Sequence, residues 1–167
     1  MFFPPYLIIS RMDDKLRLAR IKAIVKKGGI LVLEKMTVNT KKHDEMVDVT
    51  SDVQQFVQNQ KLENGIVIVY CPHTTAGITV NENADPDVKH DMLMKLDEVY
   101  PWEHPKYKHA EGNSASHLKA STVGTQQTLI VENGNIVLGT WQGIYFCEFD
   151  GPRRRSIYMK AMKESSA

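Results

Sequence analysis

The stretch TLIVENGNIVL at residues 128–138 decides the fold class of this 167-residue chain. Two apolar runs flank the dipeptide Asn133-Gly134, which is close to the strongest short signal for a β-hairpin. The hairpin predicts that the strands on either side of it are antiparallel, which points away from an all-parallel α/β sheet.

Working outward from this hairpin, the chain alternates strand and helix signals. Strands are predicted at 31–40, 46–49, 66–70, 77–81, 143–149 and 156–162. One helix begins near Ser51, which fits a capping box with Gln54, and a second begins at Asp85-Pro86. A third, short helix runs to residue 123. About seven strands and two or three helices without a βαβ rhythm throughout predict an α+β domain of mostly antiparallel sheet.

Composition and charge exclude several classes of protein. The chain is 42% hydrophobic and 25% charged, which is typical of a globular domain and excludes disordered, collagen-like and coiled-coil proteins. Its 21 basic and 20 acidic residues are too balanced for a general nucleic-acid or anionic-membrane binder. No apolar run approaches transmembrane length. Cys71 and Cys147 have no metal-type or redox-type spacing, so we expect two buried thiols and a reducing, cytoplasmic compartment.

The first thirty residues differ from the rest of the chain. Residues 13–27 could form a helix that ends at Gly28-Gly29. Alternatively, residues 1–30 precede the true start of the protein, and the single domain spans residues 31–167. Mass spectrometry of the native N-terminus separates these two hypotheses.

Three of the six histidines lie at the ends of predicted elements or in loops, where ligands are usually presented. They are His73, after a strand, and His109 and His117, which a loop could fold onto one point. Three imidazoles with one open coordination position would make a catalytic zinc site. The alternative is that these residues are surface histidines or simple hydrogen-bond partners.

Acidic side chains cluster where a predicted strand leads into a helix. Glu82, Asp85, Asp87 and Asp91 fit either helix capping and charge compensation or a magnesium site with a general base. Glu111 could act as a base beside a metal or orient a ligating imidazole.

Basic and aromatic side chains supply the remaining candidates. The three arginines at 153–155 could bind phosphate, with Lys119 adding a contact, or could form a solvated strand edge. Trp141 lies between two apolar runs, and on pattern alone we expect it in the core.

Taken together, several ordered blocks of sequence resemble the YjbQ-like family. The blocks are HTTAGITVNEN at 73–83, DPDV at 85–88, HAEGN at 109–113, HLK at 117–119, LGTWQG at 138–143 and CEFDGPR at 147–153. The resemblance extends from about residue 36 to the end of the chain, and residues 1–30 match nothing in it. It implies a compact α+β fold and a homotrimer, with the histidines grouped in a pocket that holds a divalent metal such as zinc.

The resemblance also implies roles for individual residues. Carried over by position, the metal ligands would be His73, His109 and His117. The catalytic carboxylates would be Glu82, Asp87 and Glu111, and the substrate contacts would be Asn113, Lys119, Trp141, Gln142 and Arg153.

The family carries a secondary thiamine-phosphate synthase activity, which joins hydroxymethylpyrimidine diphosphate and thiazole phosphate and releases pyrophosphate. The resemblance therefore makes a small phosphorylated molecule the expected ligand. A zinc-dependent hydrolase and a non-catalytic, small-molecule- or metal-binding trimer are the alternatives, because a triple-histidine zinc pocket suits hydrolysis and no dedicated phosphate loop is present.

Overall fold

The computed structural model describes residues 33–164 and the backbone of residues 22–24. Its strands are β1 (Lys22–Ile24), β2 (Leu33–Asn39), β3 (Glu45–Asp48), β4 (Gly65–Tyr70), β5 (Ala76–Glu82), β6 (Gln126–Glu132), β7 (Asn135–Ile136), β8 (Gln142–Glu148) and β9 (Arg154–Lys163). Its helices are α1 (Thr50–Asn59), α2 (Pro86–Val99) and α3 (Ser114–Val123). None of the helices in this described part is long and apolar enough to span a membrane.

The strands form two antiparallel sheets. The larger has the order β1-β2-β9-β4-β6-β7, and the smaller has the order β3-β8-β5. The hairpin β6–β7 turns at Asn133 and Gly134, whose φ angles are +50° and +75°, as a type I′ turn requires. The predicted α+β class is confirmed, and so is the antiparallel pairing that the hairpin indicated.

The smaller sheet lies between two apolar layers, and β8 shows this most clearly. Ile144 and Phe146 point from β8 into the main core with the large sheet and α1. Tyr145 and Cys147 point the other way, into a second cluster that α2 and α3 cover. All four side chains are at most 1% exposed. The strand predicted at residues 143–149 is confirmed, and its consecutive apolar residues 144–147 fit a strand that is covered on both faces.

Helix starts were predicted with mixed success. Asp85 caps α2 as expected, because its Oδ1 accepts a hydrogen bond from the Asp87 N–H at 2.9 Å. The capping box at Ser51 and Gln54 is wrong. The helix α1 begins one residue earlier, where the Asp48 carboxylate accepts from the Thr50 N–H, and Gln54 instead bonds the β6–β7 turn through the Gly134 carbonyl.

Two further expectations change. The hypotheses on residues 1–30 fall almost entirely outside the described residues, but Lys22–Ile24 is a strand paired with β2, so the helix predicted over residues 13–27 is wrong there. The continuous apolar run at residues 66–70 predicts a strand that is covered on both faces, but β4 in the single chain has one open face. Val67 and Val69 are fully buried, whereas Tyr70 is 41% exposed on the opposite face.

Candidate functional site

A groove of about 610 Å³ opens beside the first turns of α3. Its lining side chains come from α3 and from the loop before it, and they are Lys106, Tyr107, Lys108, His109, Ser114, His117 and Leu118. Among these described residues there are two lysines and two histidines but no acid. Lysine and histidine side chains thus line a groove whose surface is otherwise mostly apolar, on a chain whose net charge is only +1.

Two of the three predicted histidines meet in this groove. The rings of His109 and His117 stand nearly perpendicular, with centroids 5.2 Å apart. Glu111 lies beside them, with its Oε2 3.7 Å from His109 Nε2. The loop thus folds His109 back onto the helix that carries His117, and both imidazoles are available to a ligand in the groove.

His73 lies in a second, smaller depression of about 340 Å³, which shares His117 with the groove. The backbone N–H of Ser156 donates to His73 Nε2 at 2.9 Å. Burial and then the nearby Arg155 guanidinium lower the pKa of His73, which keeps the ring neutral. A neutral imidazole whose Nε2 accepts a hydrogen bond carries its proton on Nδ1.

The three histidines do not fit a three-imidazole zinc site. A ligating nitrogen needs a free lone pair, but His73 Nε2 is occupied by Ser156 and Nδ1 carries the proton. Within residues 33–164, no three His, Cys, Asp or Glu side chains converge closely enough to hold a metal ion. The metal-ligand role expected for His73 therefore disagrees with its hydrogen bonding.

The arginine cluster divides into three different environments. Arg155 is 7% exposed and forms a two-pronged pair with the fully buried Glu148, at 2.6 Å from Nε and 2.5 Å from Nη2. Arg153 forms an ion pair with Asp150, whose Oδ2 accepts a hydrogen bond from Arg153 Nη2 at 2.6 Å. Arg154 is exposed. All three were candidates for phosphate binding, and the residue to which the resemblance gives a substrate contact, Arg153, already has a carboxylate partner.

Lys119 and Asn113 are placed inside the protein instead of in the groove. Lys119 is 1% exposed and is ion-paired with Asp44, at 2.6 Å, and with Asp97. Burial disfavours its charged form, but the hydrogen bonds to the two carboxylates more than offset this and raise its pKa. Asn113 is 7% exposed and donates to Asp150. As the structure places it, Lys119 joins α3 to α2 and to the β2–β3 turn, and has no surface to offer a substrate.

The acidic cluster lies at the far end of the small sheet. Glu82 pairs with Gln142, whereas Ala76, at the histidine end of β5, pairs with Glu148. Six residues of strand separate the two ends, which is about 20 Å. The structure therefore does not bring Glu82, Asp87, Trp141 and Gln142 to the histidines. Trp141 is 64% exposed, so the expectation that it lies in the core is wrong.

The two cysteines are buried free thiols, as expected. Burial raises the pKa of Cys71 to about 11 and that of Cys147 to about 12. A thiol this far from ionisation is a poor nucleophile, so neither cysteine enters the candidate site.

Comparison with known proteins identifies the family. The family model described as UPF0047 protein YjbQ-like matches residues 34–164. The chain belongs to the YjbQ-like family. The UPF0047 protein YugU of Bacillus subtilis is 60% identical over 131 residues, which cover 78% of this chain and 99% of that protein. A UPF0047 protein of Methanocaldococcus jannaschii is 50% identical over 133 residues, covering 78% of this chain and 94% of its own.

Solved structures of the YjbQ-like family share this fold. A family member from Clostridium acetobutylicum, described as uncharacterized, aligns with a TM-score of 0.75 at 51% identity and covers 77% of this chain and 98% of its own. A protein from Sulfolobus solfataricus, described as of unknown function, aligns with a TM-score of 0.76 at 31% identity, covering 87% and 100%. These relatives establish the fold of the YjbQ-like chain. Its chemistry depends on the residues of the site.

Sequence reasoning missed several residues that shape this YjbQ-like site. Lys106 and Lys108 lie in the loop before α3, and neither was among the predicted site residues. Glu148 lies in the block at 147–153 that resembles the family, and Arg155 lies in the arginine run at 153–155. Neither pattern indicates that the two residues pair. Asp44 gave no signal, because its partner Lys119 lies 75 residues along the chain.

Lys119 is expected to matter for stability. Replacing it with Met leaves the largely buried Asp44 without its cation, which should lower the free energy of unfolding by about 3 kcal/mol. In urea denaturation, the matched control Lys95→Met, which removes an exposed i,i+3 pair with Glu98, should cost less than about 0.5 kcal/mol. Unchanged stability in Lys119→Met, together with lost ligand binding, would favour the substrate-contact role instead.

Proposed function

We propose that this YjbQ-like protein binds a small phosphorylated molecule in the groove beside α3. The observation that carries the proposal is that Lys106, Lys108 and Ser114 all line this groove. Lysine side chains bind phosphate as point charges, and a hydroxyl can donate to a phosphate oxygen.

The start of α3 adds to this preference for anions. The first backbone N–H groups of a helix lack partners within the helix, and the helix dipole favours negative charge at that end. The first turn of α3 carries no acidic residue that would compensate this charge. His117, on the same helix, borders the groove and can donate a hydrogen bond to a bound oxygen.

We propose further that the reaction is a secondary thiamine-phosphate synthase activity. The thiazole nitrogen attacks the methylene carbon of hydroxymethylpyrimidine diphosphate, a C–N bond forms, and the C–O bond breaks. Pyrophosphate leaves with the electron pair. Lys106 and Lys108 would stabilise the charge that develops on this leaving group. The groove, in place of the buried Lys119, supplies the cations.

The synthase activity is testable in purified protein. We expect His117→Ala to lower kcat/KM for thiamine phosphate formation about tenfold or more, because it removes a donor beside the reacting groups. His90→Ala, which alters an exposed histidine of α2, should leave the rate unchanged. The same pair can be compared by complementation of a thiamine auxotroph. A wild-type protein that forms no thiamine phosphate would contradict the synthase activity, and calorimetry with pyrophosphate would then test the binding proposal alone.

A zinc-dependent hydrolase is the second candidate, and one observation favours it. His109 and His117 line the groove, and Glu111 Oε2 lies 3.7 Å from His109 Nε2 beside it. As placed, the three side chains do not converge on one point. Two imidazoles with one carboxylate are nevertheless a known catalytic zinc donor set. Glu111 has a 74% exposed side chain, which leaves it room to turn toward both rings. Magnesium is the less suitable ion here, because it prefers oxygen ligands.

Metal analysis distinguishes this donor set from the three-histidine set. In protein purified without an affinity tag, the two-histidine site predicts that zinc is lost in His109→Ala and in His117→Ala but retained in His73→Phe. The measurement is zinc per chain by elemental analysis. Loss of zinc in His73→Phe would restore His73 as a ligand, and a wild-type protein without stoichiometric zinc would contradict the hydrolase.

We also propose that the protein assembles as a homotrimer in a reducing, cytoplasmic compartment. The open face of the large sheet supports self-association, because Ile130 and Met162 are 62% and 44% exposed there. Large apolar patches on a sheet face are typical of interfaces between subunits. The two free, buried thiols support the reducing compartment.

Sedimentation equilibrium tests the assembly. The wild-type protein should sediment at three times the 19.0 kDa mass of the chain. Ile130→Glu should shift it toward the monomer, because a charge would be buried in the interface. Val99→Glu, which alters an equally exposed apolar residue of α2, should leave the mass unchanged. A monomeric wild-type protein would contradict the trimer.

A further inference from the structure

The depression that holds His73 is chemically different from the groove that it adjoins. The groove carries the charged side chains Lys106 and Lys108. The depression, of about 340 Å³, is lined around its two histidines by uncharged residues from the ends of β4 and α3, among them Tyr70, Thr74 and Ser121. Small-molecule sites have this character, with a mostly uncharged surface and a few polar groups that fix orientation.

His117 joins the two cavities. It lines both the groove and the depression, so a ligand that extends past this ring would enter both. Charge then fixes its direction. A phosphate group is favoured beside the two lysines, and the uncharged remainder of the molecule is favoured in the depression, where no described lining residue is a lysine, an arginine or an acid.

His73 presents one specific group to this uncharged part. Its Nε2 accepts from the Ser156 backbone N–H at 2.9 Å, so the proton lies on Nδ1. Among the described residues, the only hydrogen-bond partner found for this ring is the Ser156 backbone. The lowered pKa of the ring, caused by burial and by Arg155, maintains the neutral form.

The buried pair of Arg155 and Glu148 holds this donor in place. Arg155 precedes Ser156 in β9, and its guanidinium is fixed both by Glu148 and by Thr75 Oγ1, at 2.8 Å. Thr75 in turn lies two residues after His73. Both the imidazole and the backbone N–H that orients it are therefore attached to the same rigid network.

We propose that His73 is a specificity-determining donor, which recognises a hydrogen-bond acceptor on the uncharged part of a phosphorylated ligand. The ligand class is a small phosphate or diphosphate ester whose other end carries a neutral acceptor, such as a ring nitrogen or a carbonyl oxygen. This inference rests on the proposed binding of phosphate in the groove, and it replaces the metal-ligand role for His73.

A matched pair of probes tests the acceptor. Benzyl phosphate and pyridin-3-ylmethyl phosphate have the same shape, and only the second carries a ring-nitrogen acceptor. By calorimetry at pH 8, wild-type protein should bind the pyridyl probe about threefold to tenfold more tightly, as expected for one neutral hydrogen bond. The preference should vanish in His73→Phe and return in His73→Gln, whose amide can accept from Ser156 and donate to the probe.

The outcomes separate this inference from the proposed function. Equal affinities in the wild-type protein, or a preference that persists in His73→Phe, would overturn the role of His73 while phosphate binding in the groove stands. If neither probe nor inorganic pyrophosphate binds, both the groove and the inference fail.

The tautomer can be measured without any substitution. In wild-type protein labelled with ¹⁵N-histidine, long-range ¹H–¹⁵N correlation spectra distinguish Nδ1–H from Nε2–H. We expect the Nδ1–H tautomer for His73 at pH 8, assigned by the loss of its signals in His73→Gln. An Nε2–H tautomer would overturn the proposal, because the donor would then face Ser156.

Discussion

Glu148 and Arg155 form the buried ion pair on which the geometry of the histidine end depends. Both oxygens of Glu148 are used: Oε2 accepts from Thr40 and from Arg155 Nε, and Oε1 accepts from Arg155 Nη2 and from two backbone N–H groups. Burying two charges is costly unless every donor and acceptor finds a partner. Here the partners lie just after the ends of β2 and β8 and in the β4–β5 loop, so the pair joins both sheets at one point.

This constraint reaches the candidate site through the chain itself. Fixing Arg155 fixes Ser156, whose N–H determines the tautomer of His73, and fixing Thr75 positions the loop that carries His73. The polar network thus does more than stabilise the fold. It converts a histidine that could have been a ligand or a base into an oriented donor.

The fold could be predicted because its signals are local. The turn at Asn133-Gly134 and the cap at Asp85 depend on neighbouring residues, and the structure contains both. The strand at residues 143–149 was also predicted from its own residues, although not that both of its faces are covered. Even the erroneous capping box has a physical reason, since Gln54 gains tertiary hydrogen bonds to the Gly134 carbonyl and the Ile136 N–H that a local pattern cannot reveal.

The site was harder to predict, because it depends on which residues meet across the fold. Glu82 and His73 are nine positions apart in the sequence, yet an extended β5 places them at opposite ends of the small sheet. Lys119 carries a positive charge that could bind phosphate. It lies on the buried face of α3, however, and is ion-paired there with Asp44 and Asp97. Residue type indicated the chemistry that each side chain can perform, and strand direction and helix face determined which of them can perform it together.

The position of His117 follows from how closely α3 approaches the small sheet. The buried face of the helix includes the small residues Ala115, Ser116 and Ala120, and the facing strand carries Gly77. A side chain at Gly77 would place its Cβ only 2.5 Å from the Gly124 carbonyl oxygen, so glycine is needed for this contact. With these small residues turned toward the sheet, the helical repeat turns His117 away from it, to the border between the groove and the depression. The steric requirement at Gly77 and the position of His117 are therefore both consequences of the close packing of α3 on β5.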